Sequence, residues 1–169
     1  RLDITATYRK FVQTLGRRHK HDVAMKTAVG GQFDAFGVLE REILIQYGLK
    51  ADDYVIDVGC GSGRLAKPLS GFLRGRYLGI DVVPDLVDFA RNLVQGPDWR
   101  FEVASGVEIP EKKERAAMVC FYSVFTHLLH EQSFVYLRDA KRVLKSGGRI
   151  VFSFLEFAMP NHWAVFESN

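Results

Sequence analysis

Two features between residues 55 and 81 have the residue types and spacing to grip an adenosine. The first is Asp57-Val58-Gly59-Cys60-Gly61-Ser62-Gly63, three glycines at alternate positions behind an acid. Glycine lets a backbone turn sharply and come close to a ligand. A helix that starts just beyond such a loop offers unpaired N–H groups. The second is Asp81, which follows Asp57 by 81 − 57 = 24 residues, the length of one strand–helix–strand unit. A carboxylate at the end of a second strand can accept both ribose hydroxyls. Glycines that merely allowed tight strand–helix packing would not account for this acid.

The spacing also bears on which adenosine ligand is meant. The dinucleotide fingerprint G-x-G-x-x-G needs a third glycine. Counted from Gly59 that place is Arg64, and counted from Gly61 it is Ala66. A pyrophosphate would also meet the negative charge of Asp57. An acid before the loop suits a cationic ligand, and S-adenosylmethionine carries an ammonium and a sulfonium but no phosphate.

These residues need elements to position them, and hydrophobic periodicity supplies candidates. Strands are predicted over 54–58, 76–81, 99–103, 118–122 and 149–157. Helices are predicted over 38–47, with Leu39, Ile43 and Tyr47 as its stripe, and over 64–73, where Pro68 shortens or kinks the first turn. Two more are predicted over 84–94 and over 131–145, the latter with Phe134, Leu137, Ala140 and Leu144 facing inward. Ser146-Gly147-Gly148 breaks that last helix. Residues 27–37, rich in glycine with Phe33 and Phe36, are predicted to be a loop that packs down as a lid or onto the core. Strand and helix in alternation imply crossovers and a doubly wound, mostly parallel α/β sheet. Residues 1–29 read as an N-terminal basic helical segment ahead of one domain over 30–169.

Composition agrees with a single folded domain. The 169 residues are 47% hydrophobic and 25% charged, with 23 basic against 20 acidic side chains. Those values argue against disorder, collagen and coiled coil, and a net charge of +3 does not point to nucleic acid. No apolar run reaches the roughly 20 residues of a membrane span. Two cysteines and an opening without a signal-peptide pattern lead us to expect a reducing, cytoplasmic setting. The basic run Arg17-Arg18-His19-Lys20-His21 reads as a solvated helix face. His19 and His21, two apart, do not share a helical face, so no metal site is expected there.

The run Val55-Ile56-Asp57-Val58-Gly59-Cys60-Gly61-Ser62-Gly63-Arg64-Leu65 closely resembles the first motif of class I S-adenosylmethionine-dependent methyltransferases, a family with a Rossmann-like fold. Tyr77 to Asp81 resembles the second motif, Phe101 to Pro110 the third and Val119 to Leu128 the fourth. Arg142 to Ile150 resembles the helix and turn before the fifth strand. The likeness spans roughly residues 30–157. It implies that Gly59, Cys60 and Gly61 line the methionine part of the cofactor, with Asp57 near its amino group. Asp81 would bind the ribose and Val82 pack on the adenine face. Ser105, Gly106 and Val107 would reach the adenine edge, and Phe121 and Tyr122 would lie near the sulfonium. The chain departs from the family in having Ser105 and Ala117 where acids are common. The family also has two further strands after the fifth, and only 169 − 157 = 12 residues remain here. The C-terminal strands thus read as truncated. The expectation is that the natural chain continues, that another chain such as a second copy covers the apolar fifth strand, or that the strand order differs.

The reaction implied is methyl transfer to an oxygen, nitrogen or carbon of a small-molecule acceptor. His127, just past the fourth strand, is the candidate general base, and Tyr122 and Ser123 are candidates to orient the acceptor. His130 could share a face with His127, but no third ligand is evident, so no metal is expected. Cys60 and Cys120 read as packing residues. His162 and Trp163 are candidate acceptor contacts. Three other readings stand beside this one: a catalytically silent methyltransferase-like module that binds cofactor or a partner, a nicotinamide oxidoreductase, and an RNA methyltransferase, which rests only on the basic cluster at 17–21.

Overall fold

The structure, a computed structural model, describes residues 4–30, 32–96 and 98–168. Five strands form one parallel sheet: β1 (Val55–Val58), β2 (Tyr77–Asp81), β3 (Trp99–Val103), β4 (Ala116–Phe121) and β5 (Leu144–Phe152). Their order is β3-β2-β1-β4-β5. The order reverses between β1 and β4, which makes the sheet doubly wound, as the alternating pattern predicts.

Three helices come before the sheet, α1 (Ile4–Arg18), α2 (His21–Ala28) and α3 (Phe33–Gln46). Between strands lie α4 (Ala66–Leu69), α5 (Pro84–Leu93) and α6 (His130–Val143), and α7 (Pro160–Ser168) follows β5. Side chains alternate across a strand, so the sheet supports two cores. Val55, Tyr77, Met118 and Cys120 face α3, α4 and α5 through Leu44, Ala66, Leu69, Val87 and Ala90. Ile56, Leu78, Ile80, Val119 and Phe121 face α6 through Tyr136, Ala140 and Val143. β1, β2 and β4 are buried along their whole length, which explains their continuous apolar run.

Several local expectations are corrected. Phe33 to Gly37 is the first turn of α3 and not a loop. The buried stripe of α3 is Phe33, Gly37, Glu40 and Leu44, whereas Leu39 and Tyr47 are exposed. The apolar stripe predicted there is rotated by one residue, because a buried ion pair claims the place of Glu40. α4 is four residues long; Pro68 lacks the N–H that would extend its bonding to Arg64. In α6 the buried residues are Tyr136, Ala140 and Val143, and Phe134 points to solvent at 64% exposure.

β4 starts two residues earlier than predicted and ends at Phe121. β5 starts directly after α6, with Leu144 opposite Ala116 and Arg149 opposite Met118. The Ser146-Gly147-Gly148 break therefore bulges out of the strand, with Gly147 at φ +75°. The predicted extension of β5 to residue 157 is absent, since the strand ends at Phe152. Among the described residues no strand pairs with the outer edge of β5.

Candidate active site

The carboxyl ends of β1, β2 and β4 meet at the point where the strand order reverses, and the glycine loop lies there. Gly59 and Gly61 have φ of +76° and +53°, the left-handed region that side chains resist. The amides of Gly59 and Cys60 both donate to the Ile80 carbonyl, at 2.8 and 3.0 Å, so the loop is pinned to β2 as soon as it leaves β1.

Asp81 completes that attachment. Its carboxylate is 8% exposed. One oxygen accepts the Gly61 amide at 3.0 Å and the other the Val83 amide at 2.9 Å. Burial raises its pKa, opposed by these backbone N–H donors. Each carboxylate oxygen has about two acceptor sites, so one on each remains for a ligand hydroxyl. Ser62, within the loop, is fully buried, and among the described residues its hydroxyl has no partner. A buried hydroxyl is seldom left unpaired, and this one belongs to the loop between β1 and α4. The loop, the acid and the orphaned hydroxyl fit an adenosine cofactor with a polar tail.

Asp57 lies beneath the loop at 2% exposure. Its Oδ2 accepts the Tyr77 hydroxyl at 2.7 Å, and Cys120 Sγ lies 3.6 Å from Oδ1. Burial pushes its pKa up to about 7, opposed by the Tyr77 hydrogen bond and raised further by Glu40. Cys60 and Cys120 are buried with pKa values raised chiefly by burial, which makes them inert packing thiols.

The other predicted residues have varied surroundings. Val82 is half-buried beside Val83 and Leu86. Ser105 and Gly106 are exposed and Val107 is half-buried; the Gly106 carbonyl accepts the Tyr136 hydroxyl at 2.9 Å. The ring of Phe121 is fully buried, 5.0 Å from Phe125 and 5.8 Å from Tyr136. It therefore belongs to the α6-side core, and only its backbone borders the strand end. Tyr122 faces the other way, its hydroxyl donating to the Glu40 carbonyl at 3.1 Å. Ser123 holds φ +59°, and its amide donates to Ser153 Oγ at 2.7 Å. His127 closes a single 3₁₀ turn, Phe125–His127. Burial lowers its pKa, which keeps the imidazole neutral near pH 7. His130 opens α6. Among the described residues no three His, Cys, Asp or Glu side chains gather as metal ligands. His162 Nδ1 accepts the Glu156 amide at 3.0 Å, and Trp163 packs edge-on to Phe157.

Several side chains given no site role from the sequence also shape the site. Arg9 of α1 donates from Nε and Nη2 to the Val82 carbonyl at 3.0 and 2.8 Å. Tyr8 lies ring to ring with His127, centroids 5.6 Å apart, and its hydroxyl donates to the Ala28 carbonyl at 2.8 Å. Arg64, just past the loop, clasps buried Glu40 at 2.5 and 3.3 Å and bonds the Val29 carbonyl. The side chain of Val29 rests on Gly61, and that of Val124 on Gly59. The N-terminal helices thus roof the glycine loop. From the sequence, residues 1–29 read only as a basic helical segment; in the structure buried Val12 of α1 joins Met25, Val83 and Leu86.

A doubly wound parallel sheet, with a glycine loop after its first strand and an acid after its second, defines an adenosine-cofactor-binding domain. A methyltransferase domain model matches residues 55–148, more than half of the chain. The chain belongs to the S-adenosylmethionine-dependent methyltransferase family, and S-adenosylmethionine is its cofactor. It is 31% identical over 117 residues to an uncharacterised protein of Methanocaldococcus jannaschii, covering 69% of this chain and 42% of that protein. It is 32% identical over 119 residues to the demethylmenaquinone methyltransferase of Tropheryma whipplei, covering 69% and 46%. The chain thus spans less than half the length of these two relatives.

Among solved structures, phosphoethanolamine N-methyltransferase 1 of Haemonchus contortus, in complex with phosphoethanolamine and S-adenosylhomocysteine, superposes with a TM-score of 0.66. The identity is 19%, covering 88% of this chain and 32% of that one. A TehB-like S-adenosylmethionine-dependent methyltransferase of Corynebacterium glutamicum superposes at 0.64 and 22% identity, covering 93% and 81%. Both share the fold.

Proposed function

We propose that the protein transfers a methyl group from S-adenosylmethionine to a nucleophilic oxygen, nitrogen or carbon of a small-molecule acceptor. The observation that carries this reading is the bond from the Gly61 amide to Asp81, which makes loop and ribose acid one preorganised unit at the switch point. Bound there, the cofactor supplies an activated methyl on a sulfonium. Asp81 would take the ribose hydroxyls on its two remaining acceptor sites. Val82 would pack on the adenine, with Ser105, Gly106 and Val107 at its edge. Gly59, Cys60 and Gly61 would line the methionine part, and the Ser62 hydroxyl would gain a partner. Asp57 would act from beneath the loop, its charge favoured by a cationic amino group above.

On the acceptor side, His127 is the group positioned to accept a proton, because it is neutral at pH 7 and lies past the end of β4. Tyr122 and Ser123 border the same strand end. Tyr8 and Arg9 bring α1 across this face, where they would exclude water and hold the acceptor near the methyl. Of the sequence relatives, one is named a demethylmenaquinone methyltransferase and another a ribosomal protein L11 methyltransferase; the neutral imidazole suits an acceptor that must lose a proton.

Isothermal titration of S-adenosylhomocysteine against NAD tests the cofactor assignment, and a radiolabelled-methyl assay on a panel of small acceptors tests the reaction. Heat with the first ligand alone and label transfer that fails in His127→Ala support the proposal. Tight cofactor binding with no transfer to any acceptor would favour a silent binding module. Binding of NAD in preference to S-adenosylhomocysteine would overturn the reading.

A further inference from the structure

At the opposite end of the sheet, where β4 and β5 begin, lies a groove of about 570 Å³. Lys113, Arg138, Lys141, Arg142 and Lys145 line it, with Glu114 as the sole acid and Ser146 adding a hydroxyl. β4 is six residues long, so at about 3.3 Å per residue the groove sits roughly 17–20 Å from the cofactor end. It takes no part in the site described above.

Three segments build the groove, and they are locked together. The amides of Glu114 and Arg115 donate to the carbonyls of Arg142 and Val143, at 3.0 and 2.7 Å. Glu114 is held at φ +58°, a strained conformation for a residue with a side chain. Arg142 is fixed by the Asp139 carboxylate and by the carbonyls of Ile109 and Glu111. Lys145 is fixed by Asp53 at 3.1 Å. Among the described residues the side chains of Lys113, Arg138 and Lys141 make no hydrogen bond or close ion pair, although Arg138 lies near enough to Asp139 to favour its charge. Two anchored cations thus stand beside three that are not held in place.

The register matters too. Arg138, Lys141 and Arg142 fall at i, i+3 and i+4, one stripe on the last turns of α6, and Lys145 joins them from the start of β5. Like charges at that spacing destabilise a helix. The helix dipole compensates only cations in the last turn, which accounts for Lys141 and Arg142 but not for Lys113, which comes from another segment. A groove lined by five cations and one acid calls for an anion.

From this geometry we propose that the groove is a binding site for a small ligand carrying two or more linked phosphates. A lone phosphate would engage one or two of these cations. The cations come from three segments, the residues before β4, the end of α6 and the start of β5, so a chain of phosphates engages more of them at once, and the volume is that of a small-ligand site. A free oligophosphate and a nucleoside triphosphate share this chemistry.

Isothermal titration at physiological salt, with inorganic tripolyphosphate, orthophosphate, ATP and a twelve-residue oligouridylate, tests the proposal. Tripolyphosphate is expected to bind at least tenfold more tightly than orthophosphate, and to lose at least tenfold in R138E/K141E. Both side chains are exposed, so that variant should fold, and its unchanged affinity for S-adenosylhomocysteine checks this. Lys113→Gln, on a different segment, should weaken tripolyphosphate in the same direction. ATP equal to tripolyphosphate marks a site that reads phosphates alone, and tighter ATP marks one that reads the nucleoside as well. Equal affinity for orthophosphate and tripolyphosphate, or parental binding in R138E/K141E, would overturn the proposal. So would oligouridylate binding more tightly than either small ligand, which would assign the groove to a nucleic-acid backbone.

Discussion

Tyr8 of α1 and His127 of the turn after β4 lie ring to ring, with centroids 5.6 Å apart and planes inclined by 33°, across a sequence gap of 127 − 8 = 119 residues. The contact buries the imidazole, and burial lowers its pKa below the ordinary 6.5. Tyr8 is itself half-buried, with its hydroxyl pushed up to about 12 by burial and by Asp81. His127 should therefore titrate below 6.5 in the parent. In Tyr8→Ala, with the ring gone and water admitted, its pKa should rise toward 6.5. A proton NMR titration of the His127 ring measures both. A midpoint unmoved by the substitution would mean that Tyr8 does not shield the imidazole.

Asp81→Ala should weaken S-adenosylhomocysteine binding by more than tenfold, since hydrogen bonds to a charged group are worth about 1.5–3 kcal/mol each. The same change removes the acceptor for the Gly61 and Val83 amides, so the loop should loosen as well. Calorimetry gives the affinity, and circular dichroism checks that the fold persists. Parental affinity in this variant would remove Asp81 from the ribose.

Arg64 and Glu40 form a buried ion pair, with side chains 12% and 7% exposed. Arg64→Leu should cost about 3–5 kcal/mol in urea unfolding, because it strands a buried carboxylate and releases the Val29 carbonyl. Adding Glu40→Leu should restore most of that loss, since paired apolar replacements of buried ion pairs are often close to neutral. Additive losses in the double variant would show that the two side chains do not act as a pair.

The buried Asp57 makes stability fall with rising pH. Its folded pKa of about 7 lies above the ordinary aspartate value near 3.9. Between pH 4 and 7 the folded state thus binds more protons than the unfolded, and the stability slope is negative. The contribution of the protonated form is full below about pH 4 and is lost as pH rises through 7. Thermal melts from pH 5 to 8 should show a falling Tm, and Asp57→Asn should flatten that fall and melt higher at pH 8. A variant that tracks the parent at every pH would contradict the raised pKa.

The order of elements was legible because it is written in neighbouring residues. Period-two and period-3.6 hydrophobic patterns mark the strands and most helices, and glycines at alternate positions followed by an acid after the next strand mark the ligand loop. Errors arose where one side chain's partner lay far along the chain. The stripe of α3 could not be placed correctly without Arg64, 24 residues away, which makes burial of Glu40 tolerable. Tyr77 read only as a strand residue, although its hydroxyl holds Asp57. Phe121, placed near the cofactor by family likeness, is turned into the opposite core by strand alternation once β4 is seen to run from Ala116.

From the sequence alone came the parallel sheet, the glycine loop, Asp81 and the adenosine chemistry they imply, since each depends on residues within one strand–helix–strand unit. Only the folded chain placed α1 and α2 over that loop, with Arg9 on the Val82 carbonyl, Tyr8 against His127 and Val29 on Gly61. It also brought Lys113 beside α6 to make a basic groove. These contacts join residues that no short-range pattern relates; they exist because burying apolar faces of helix and sheet leaves few ways to pack, and packing decides which distant side chains meet.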